Sequence, residues 1–433
     1  MRKMKKSGLE WIGDIPGNSE ITRLKYIGDV FGRIGFRGYT QADLVPEGEG
    51  PITLSPSNIN EFGMDYSKCT YLSWDKYDES PEIQIKNGDV LMVKTGSSYG
   101  KSAIVEELPM EATINPQFVV IKNIRCNPKY LYYYMQTELF KYQVEEAVVG
   151  GTIPTMAQEK INAFYIINYK EKYCRRIVEF LDKKCAEIDA LIDAKEKTNS
   201  LLKEQRQSII YEAVTKGLNS DVPMKDSGIE WIGDVPETWD VKKIKYCFDL
   251  VAGATPKSSN SEYWDGNIVW ITPADYKTED VFIEKGHKNI TDEGMQSCAT
   301  TLIPENCIIF SKRAPVGLVA INRVPLCTNQ GCISCIPHND ISSKFYYYVI
   351  SVFEEQFELF ASGTTFKEIS ADSFANFLLP NTTFDEQVEI VNYLDKKCAE
   401  LDTIIKSNRT IIEKLKEYRK SIIFEAVTGK VEI

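Results

Sequence analysis

The segment LDKKCAE occupies residues 181–187 and recurs letter for letter at 394–400, an offset of 213. A chain that writes itself twice folds as two related units, so this repeat constrains the architecture before any local propensity does. Other pairs agree. SGLEWIGDIP from Ser7 matches SGIEWIGDVP from Ser227 at offset 220, and ITLSPSN from Ile52 matches VWITPAD from Val269 at 217. SIIYEAVTKG from Ser208 matches SIIFEAVTGK from Ser421 at 213. The offset falls in two steps, as two small deletions produce. The ends of each copy are nearly identical, whereas the middles, about 30–165 and 250–380, share little beyond a pattern. A common frame thus carries two divergent inserts.

The copied ends read as long helices. Residues 171–216 hold neither Pro nor Gly, and Gly217 follows. Leu181, Ile188, Leu202 and Ile209 stand at one heptad position, with Lys195 in the gap. The second copy repeats the row as Leu394, Leu401, Leu415 and Ile422, with Asn408 in the gap. Heptad spacing keeps an apolar seam on one partner helix. An antiparallel pair sets Leu181 near Ile422, Ile188 near Leu415 and Lys195 beside Asn408. A polar pair in mid-seam weakens the core but penalises slipped registers. Ile404, Ile411 and Tyr418 are expected to form a second apolar row beside the seam. At 1.5 Å per residue each helix spans roughly 65–70 Å, which predicts two dissimilar globular domains about 50 Å or more apart.

The middles alternate short apolar runs with Gly, Pro and Asn. DVLMVK (89–94), QFVVIK (117–122), NIVWIT (267–272), CIIFSK (307–312) and GLVAIN (317–322) read as strands. Aromatic stretches from Lys129 and Ser343 read as short core helices. The expected fold class is therefore α+β: two divergent mixed domains joined by two long antiparallel helices in a coiled coil. The boundaries are 1–170 for the first domain, 171–217 for the central helix, 218–383 for the second domain and 384–433 for the distal helix.

Several chemical signals fail on inspection. GSSYGKS from Gly96 is one residue short of a phosphate loop, since that motif needs Gly where Thr95 stands. Cys327, Cys332 and Cys335 have a spacing seen in some iron–sulfur proteins. The first copy has no cysteine at the position matching Cys332, so buried strand thiols are the better reading. Only two histidines are present, His287 and His338, without ligand-like spacing. NPQF (115–118) is similar to the tetrad of adenine methyltransferases, but its third residue differs and no glycine-rich cofactor loop precedes it; a turn is expected there. No catalytic constellation and no metal site emerge.

Matched polar loops remain. GRIGFRG (32–38) offers Arg33 and Arg37, and its counterpart AGATPKSS (252–259) offers Lys257. The loop after one strand offers Lys94, Ser97, Tyr99 and Lys101; the equivalent loop offers Lys312 and Arg313. GGTIPT (150–155) with Thr152 pairs with SGTTFK (362–367) with Thr364 and Lys367. Gly lets a backbone approach a ligand closely, and Arg or Lys contacts phosphate or guanine. The matched set reads as a binding face. A net charge of −11 and a pI near 5.1 exclude a wholly basic surface, so such contacts must be local. No run approaches the roughly 18 apolar residues of a membrane span, and eleven scattered cysteines fit reduced thiols in a cytoplasm.

With these features assembled, the chain resembles the DNA-specificity subunits of type I restriction–modification systems. The resemblance is carried by the paired SGxEWIGDxP openings, the paired LDKKCAExD and SIIxEAVT helices and the divergent middles. It implies that each middle is a target recognition domain reading one half of a split asymmetric site in double-stranded DNA, and that the helices set the gap. It implies docking of two methyltransferase subunits and a translocating restriction subunit on the repeated frame. The chain itself would be non-catalytic, with S-adenosylmethionine, ATP and Mg held by its partners. Two rivals remain: a scaffold with two ligand-binding domains and no DNA, and a self-sufficient methyltransferase.

Overall fold

The computed structural model describes residues 4–60, 63–151, 153–277, 280–363 and 367–433. The chain forms two compact units, Met1–Glu196 with Asn408–Ile433, and Lys197–Ser407. Two long helices, Glu171–Lys216 and Phe384–Thr428, contribute to both. They end on Gly217 and Gly429, each with positive φ, the left-handed C-cap that glycine adopts without steric cost. The two copies read VTKG and VTGK, which is why the second helix ends one residue earlier in its repeat.

In the first unit, one four-stranded sheet runs Asp29–Gly32, Phe118–Lys122, Val90–Val93, Ser102–Ile104. A second sheet runs Ala112–Ile114, Ile52–Leu54, Thr70–Leu72, Leu44–Val45, its first pair parallel. The second unit has a five-stranded sheet: Phe248–Ala252, Cys332–Pro337, Ile308–Ser311, Val319–Asn322, Phe282–Ile283. Its smaller sheet pairs Trp264–Ile271 in parallel with Leu326–Thr328. Each apolar run expected as a strand lies on one. Cys327, Cys332 and Cys335 are fully buried on two of these strands, and burial pushes all three thiols up.

The aromatic stretches form the helices Pro128–Met135 and Ser343–Val352, with Tyr130, Tyr134 and Tyr346 fully buried. The openings of the two copies differ at one core position. Trp239 is fully buried in the second unit and donates from Nε1 to Glu386 at 3.0 Å, whereas Ser19, its counterpart, is buried and donates to the Pro16 carbonyl.

Within the first unit the two long helices run antiparallel. Ile188, Ile192, Ile412 and Ile422 form one buried cluster with Leu415 and Phe180, and Leu181 is fully buried. Lys195 Nζ donates to Asn408 Oδ1 at 3.0 Å, the expected polar contact. Within the second unit Leu394 is fully buried and Ile209 packs on the same core; Leu202 and Leu401 are partly buried.

One expectation fails. Ile404, Ile411 and Tyr418 are 47%, 37% and 53% exposed. The second inward row is one residue on: Cys398, Ile405, Ile412, Arg419 and Ala426, matched by Cys185, Ile192, Asn199, Arg206 and Ala213, all buried except the two half-buried arginines. Spacings of three and four both suit a helix pair, and the tertiary contacts choose four. The two arginines of this row are bound inside their own units. Arg419 Nε lies 2.9 Å from Asp189, and Arg206 Nε lies 3.3 Å from Asp402.

Replacing both Lys195 and Asn408 with Leu is expected to raise the stability of the first unit by about 1 kcal/mol, because a buried polar contact recovers little of its desolvation cost. Thermal unfolding of the double variant checks this.

Candidate nucleic-acid interface

The repeated heptapeptide faces two ways. Its Leu and Cys are buried, and its Asp ties the helix to the domain of the same unit. Asp182 accepts from Tyr133 Oη at 2.7 Å and Lys129 Nζ at 3.2 Å. Asp395 accepts from Tyr348 Oη at 2.8 Å and Lys344 Nζ at 2.6 Å. Both tyrosines lose their acidity through burial first and the neighbouring carboxylate second. Lys183, Ala186 and Glu187 point outward, as do Lys396, Ala399 and Glu400. The same helices expose Leu191 and Ile404, which occupy matching positions 213 apart and are 54% and 47% exposed.

In the first unit the basic loop starts where the strand Val90–Val93 ends. Lys94 N–H donates to the Gln117 carbonyl at 2.7 Å, and the Lys94 carbonyl accepts from Met156 N–H at 2.9 Å. Thr95 bridges Thr155, and their hydroxyls lie 2.7 Å apart. These bonds hold the 94–101 loop against the segment around Thr155. Lys94 is partly buried with Nζ 3.2 Å from the Cβ position of Gly32, and burial pushes its ammonium pKa down. Ser97 is exposed, and Tyr99 is partly buried on the core. Lys101 donates to the Ile59 carbonyl at 2.6 Å. Asn115 accepts from Gln117 N–H at 3.0 Å, so the NPQF segment is an Asx-type turn.

The second unit repeats this frame. Lys312 N–H donates to the Gly331 carbonyl at 2.9 Å, and the Lys312 carbonyl accepts from Ile369 N–H at 3.0 Å. Arg313 bridges Glu368. Here both cations are bound: Lys312 Nζ lies 2.9 Å from Glu368, and Arg313 Nη1 lies 3.2 Å from it. Lys257 and Lys367 are exposed. Thr152 and Thr364 lie outside the described residues.

Arg33 is a correction. It was expected to contact DNA, but it is only 4% exposed. Its guanidinium donates to the Ile114 carbonyl at 3.1 Å, to Thr113 Oγ1 at 3.1 Å and to the Arg37 carbonyl at 3.2 Å. The second unit explains why. There Gly253 takes the corresponding place, so close that a Cβ would meet the Asn329 carbonyl at 2.2 Å, and Ala254 N–H bonds the Thr328 carbonyl. In the first unit the Ile114 carbonyl takes its bond from the Arg33 side chain. Arg37 is partly exposed and lies 3.6 Å from Glu82. The carboxylates Glu82 and Glu368 carry no signal in the sequence that marks them as partners of these cations, although Glu368 sits directly beside Lys367.

Each unit thus sets a mixed α and β domain against the long helices and repeats the same polar loop frame. Residues 236–417 match the family model described as type I restriction modification DNA specificity domain. The chain is 36% identical over 166 residues to the type I restriction enzyme MjaIX specificity subunit of Methanocaldococcus jannaschii, which covers 38% of each protein. It is 24% identical to the putative MjaX specificity subunit of the same organism, over 98% of this chain and 96% of that one. A solved structure described as the "structural basis underlying complex assembly and conformational transition of the type I R-M system" superposes with a TM-score of 0.74 at 17% identity, covering 96% of this chain and 99% of that one. Residues 236–417 thus carry a type I restriction–modification DNA specificity domain, and over nearly its whole length the chain is similar to a specificity subunit of such a system. Among the described residues no helix is long and apolar enough to cross a membrane.

Proposed function

We propose that each unit reads one half of a split, asymmetric DNA site, that the paired helices set the gap, and that the repeated outer surface docks two methyltransferase subunits and a restriction subunit. The observation that carries this reading is the contrast between the copies. The frame is the same down to single bonds, such as Asp182 with Tyr133 and Asp395 with Tyr348, while the loops on it differ in charge and pairing. Identical surfaces suit one partner bound twice, and different loops suit two different half-sites. Half-sites about 10–10.5 bp apart would lie on one face of the duplex. S-adenosylmethionine, ATP and Mg would be bound by the partners, which supply the chemistry.

The test is a genome-wide map of adenine methylation with the gene intact and deleted. Loss of one bipartite motif on deletion is the expected result. An unchanged map, together with unmethylated DNA from purified complex containing an active methyltransferase partner, would transfer the chain to the scaffold class.

A further inference from the structure

The two copies build one frame at the end of the basic strand and fill it with opposite chemistry. In both, the lysine carbonyl accepts a backbone N–H from the returning segment, and the residue after the lysine bridges that segment. The bridging partner is Thr155 in the first unit and Glu368 in the second. Among the described residues, Lys94 Nζ in the first unit has no hydrogen-bond or ion-pair partner. In the second unit Glu368 engages Lys312 through Oε1 and Arg313 through Oε2.

An ammonium only donates, so Lys94 suits acceptors: guanine O6 and N7, or phosphate. An ionised carboxylate only accepts. Set among phosphates it is repelled, and the base-edge groups that satisfy it are the exocyclic amines, N4 of cytosine and N6 of adenine. Glu368 remains 35% exposed, against 18% for Lys312, so the carboxylate stays accessible while its cations hold it. The hydrogen bond from Lys312 is the main cause that keeps Glu368 ionised, below the usual glutamate range. Two charge-assisted contacts on separate oxygens also fix the plane of the carboxylate.

We propose that Glu368 is a specificity-determining residue of the second recognition unit, accepting a hydrogen bond from the exocyclic amine of a cytosine or adenine, with Lys312 and Arg313 as its positioning residues. The first unit, with Thr155 at the equivalent place, lacks this acceptor and presents a donor. The inference rests on the DNA-specificity reading above.

The experiment uses the complete complex with its methyltransferase partner, acting on a DNA library randomised around the wild-type site. If the wild-type complex shows no bipartite motif, the specificity reading itself fails. With the motif in hand, Glu368→Thr is expected to relax one position in one half-site, cutting the preference for an amine-bearing base by about tenfold to a hundredfold. Thr155→Glu is expected to change a position only in the other half-site. Glu368→Met keeps the length, removes both acceptor oxygens and decides the matter if Glu368→Thr fails to assemble; it should relax the same position. Unchanged preferences in Glu368→Met would overturn the proposal. So would a loss spread evenly over all sequences, which would make the carboxylate a structural clamp.

Discussion

Arg33→Met should destabilise the first unit by about 3 kcal/mol, while the salt dependence of DNA binding by the folded protein stays at its wild-type slope. The side chain is buried, and its three hydrogen bonds go to two carbonyls and a threonine hydroxyl. Removing a charged donor from buried acceptors strands them without water, the costly direction of the exchange. Met preserves most of the volume, so the loss reports the hydrogen bonds and not a cavity. A phosphate-contacting arginine would behave in the opposite way. Its loss would leave stability nearly unchanged and lower the slope of log K against log salt by about one. Denaturant unfolding and a salt titration of DNA affinity, run on the same variant, separate the two roles.

The same residue shows where the sequence stops being informative. GRIGFRG looks like a mobile basic loop because glycine flanks both arginines. What buries Arg33 is Thr113 and Ile114, some 80 residues away, and no local pattern records that contact. The long helices were legible because their signal is periodic and repeated. The identity of the second seam row was not. Ile404, Ile411 and Tyr418 look more apolar than the buried row of the first copy, which includes Asn199 and Arg206. The polar row packs inward because Arg419 is hydrogen-bonded to Asp189 and Arg206 is ion-paired with Asp402, which offsets part of the cost of half-burying each charge. Strands in the middles could be read from their apolar runs, whereas their order in the sheets could not, since parallel and crossing neighbours come from far apart in the chain. Of the candidate interface, the lysines were visible as residue types. The acidic partner that engages Lys312 came only from the fold.

If the repeated outer surface docks two methyltransferase subunits as proposed, Leu191→Glu and Ile404→Glu should each reduce the number bound per chain from two to one, and the double variant should bind none. The repeated helix has an inner face whose identity is explained by its own unit: Leu181 and Leu394 are fully buried, and Asp182 and Asp395 take matching bonds from Tyr and Lys. On the outer face, Lys184–Glu187 and Lys397–Glu400 form matched pairs along the helix, and no described contact inside either unit accounts for the match of Leu191 with Ile404. Yet Leu191 and Ile404 are both large, apolar and about half exposed at equivalent positions. A large apolar side chain on a solvent-facing helix surface is favourable when a partner covers it, and a central apolar anchor commonly carries 2 kcal/mol or more of binding free energy. A buried carboxylate in its place adds a desolvation cost, so an affinity loss of about a hundredfold or more at that end is expected. Glu is a good helix former, which keeps the effect on folding within about 0.5 kcal/mol. Mass measurement of the assembled complex gives the stoichiometry directly. If both single variants keep two subunits, the matched outer face is not the docking surface, and the outward repeat of Lys183, Glu187 and their counterparts would need another explanation.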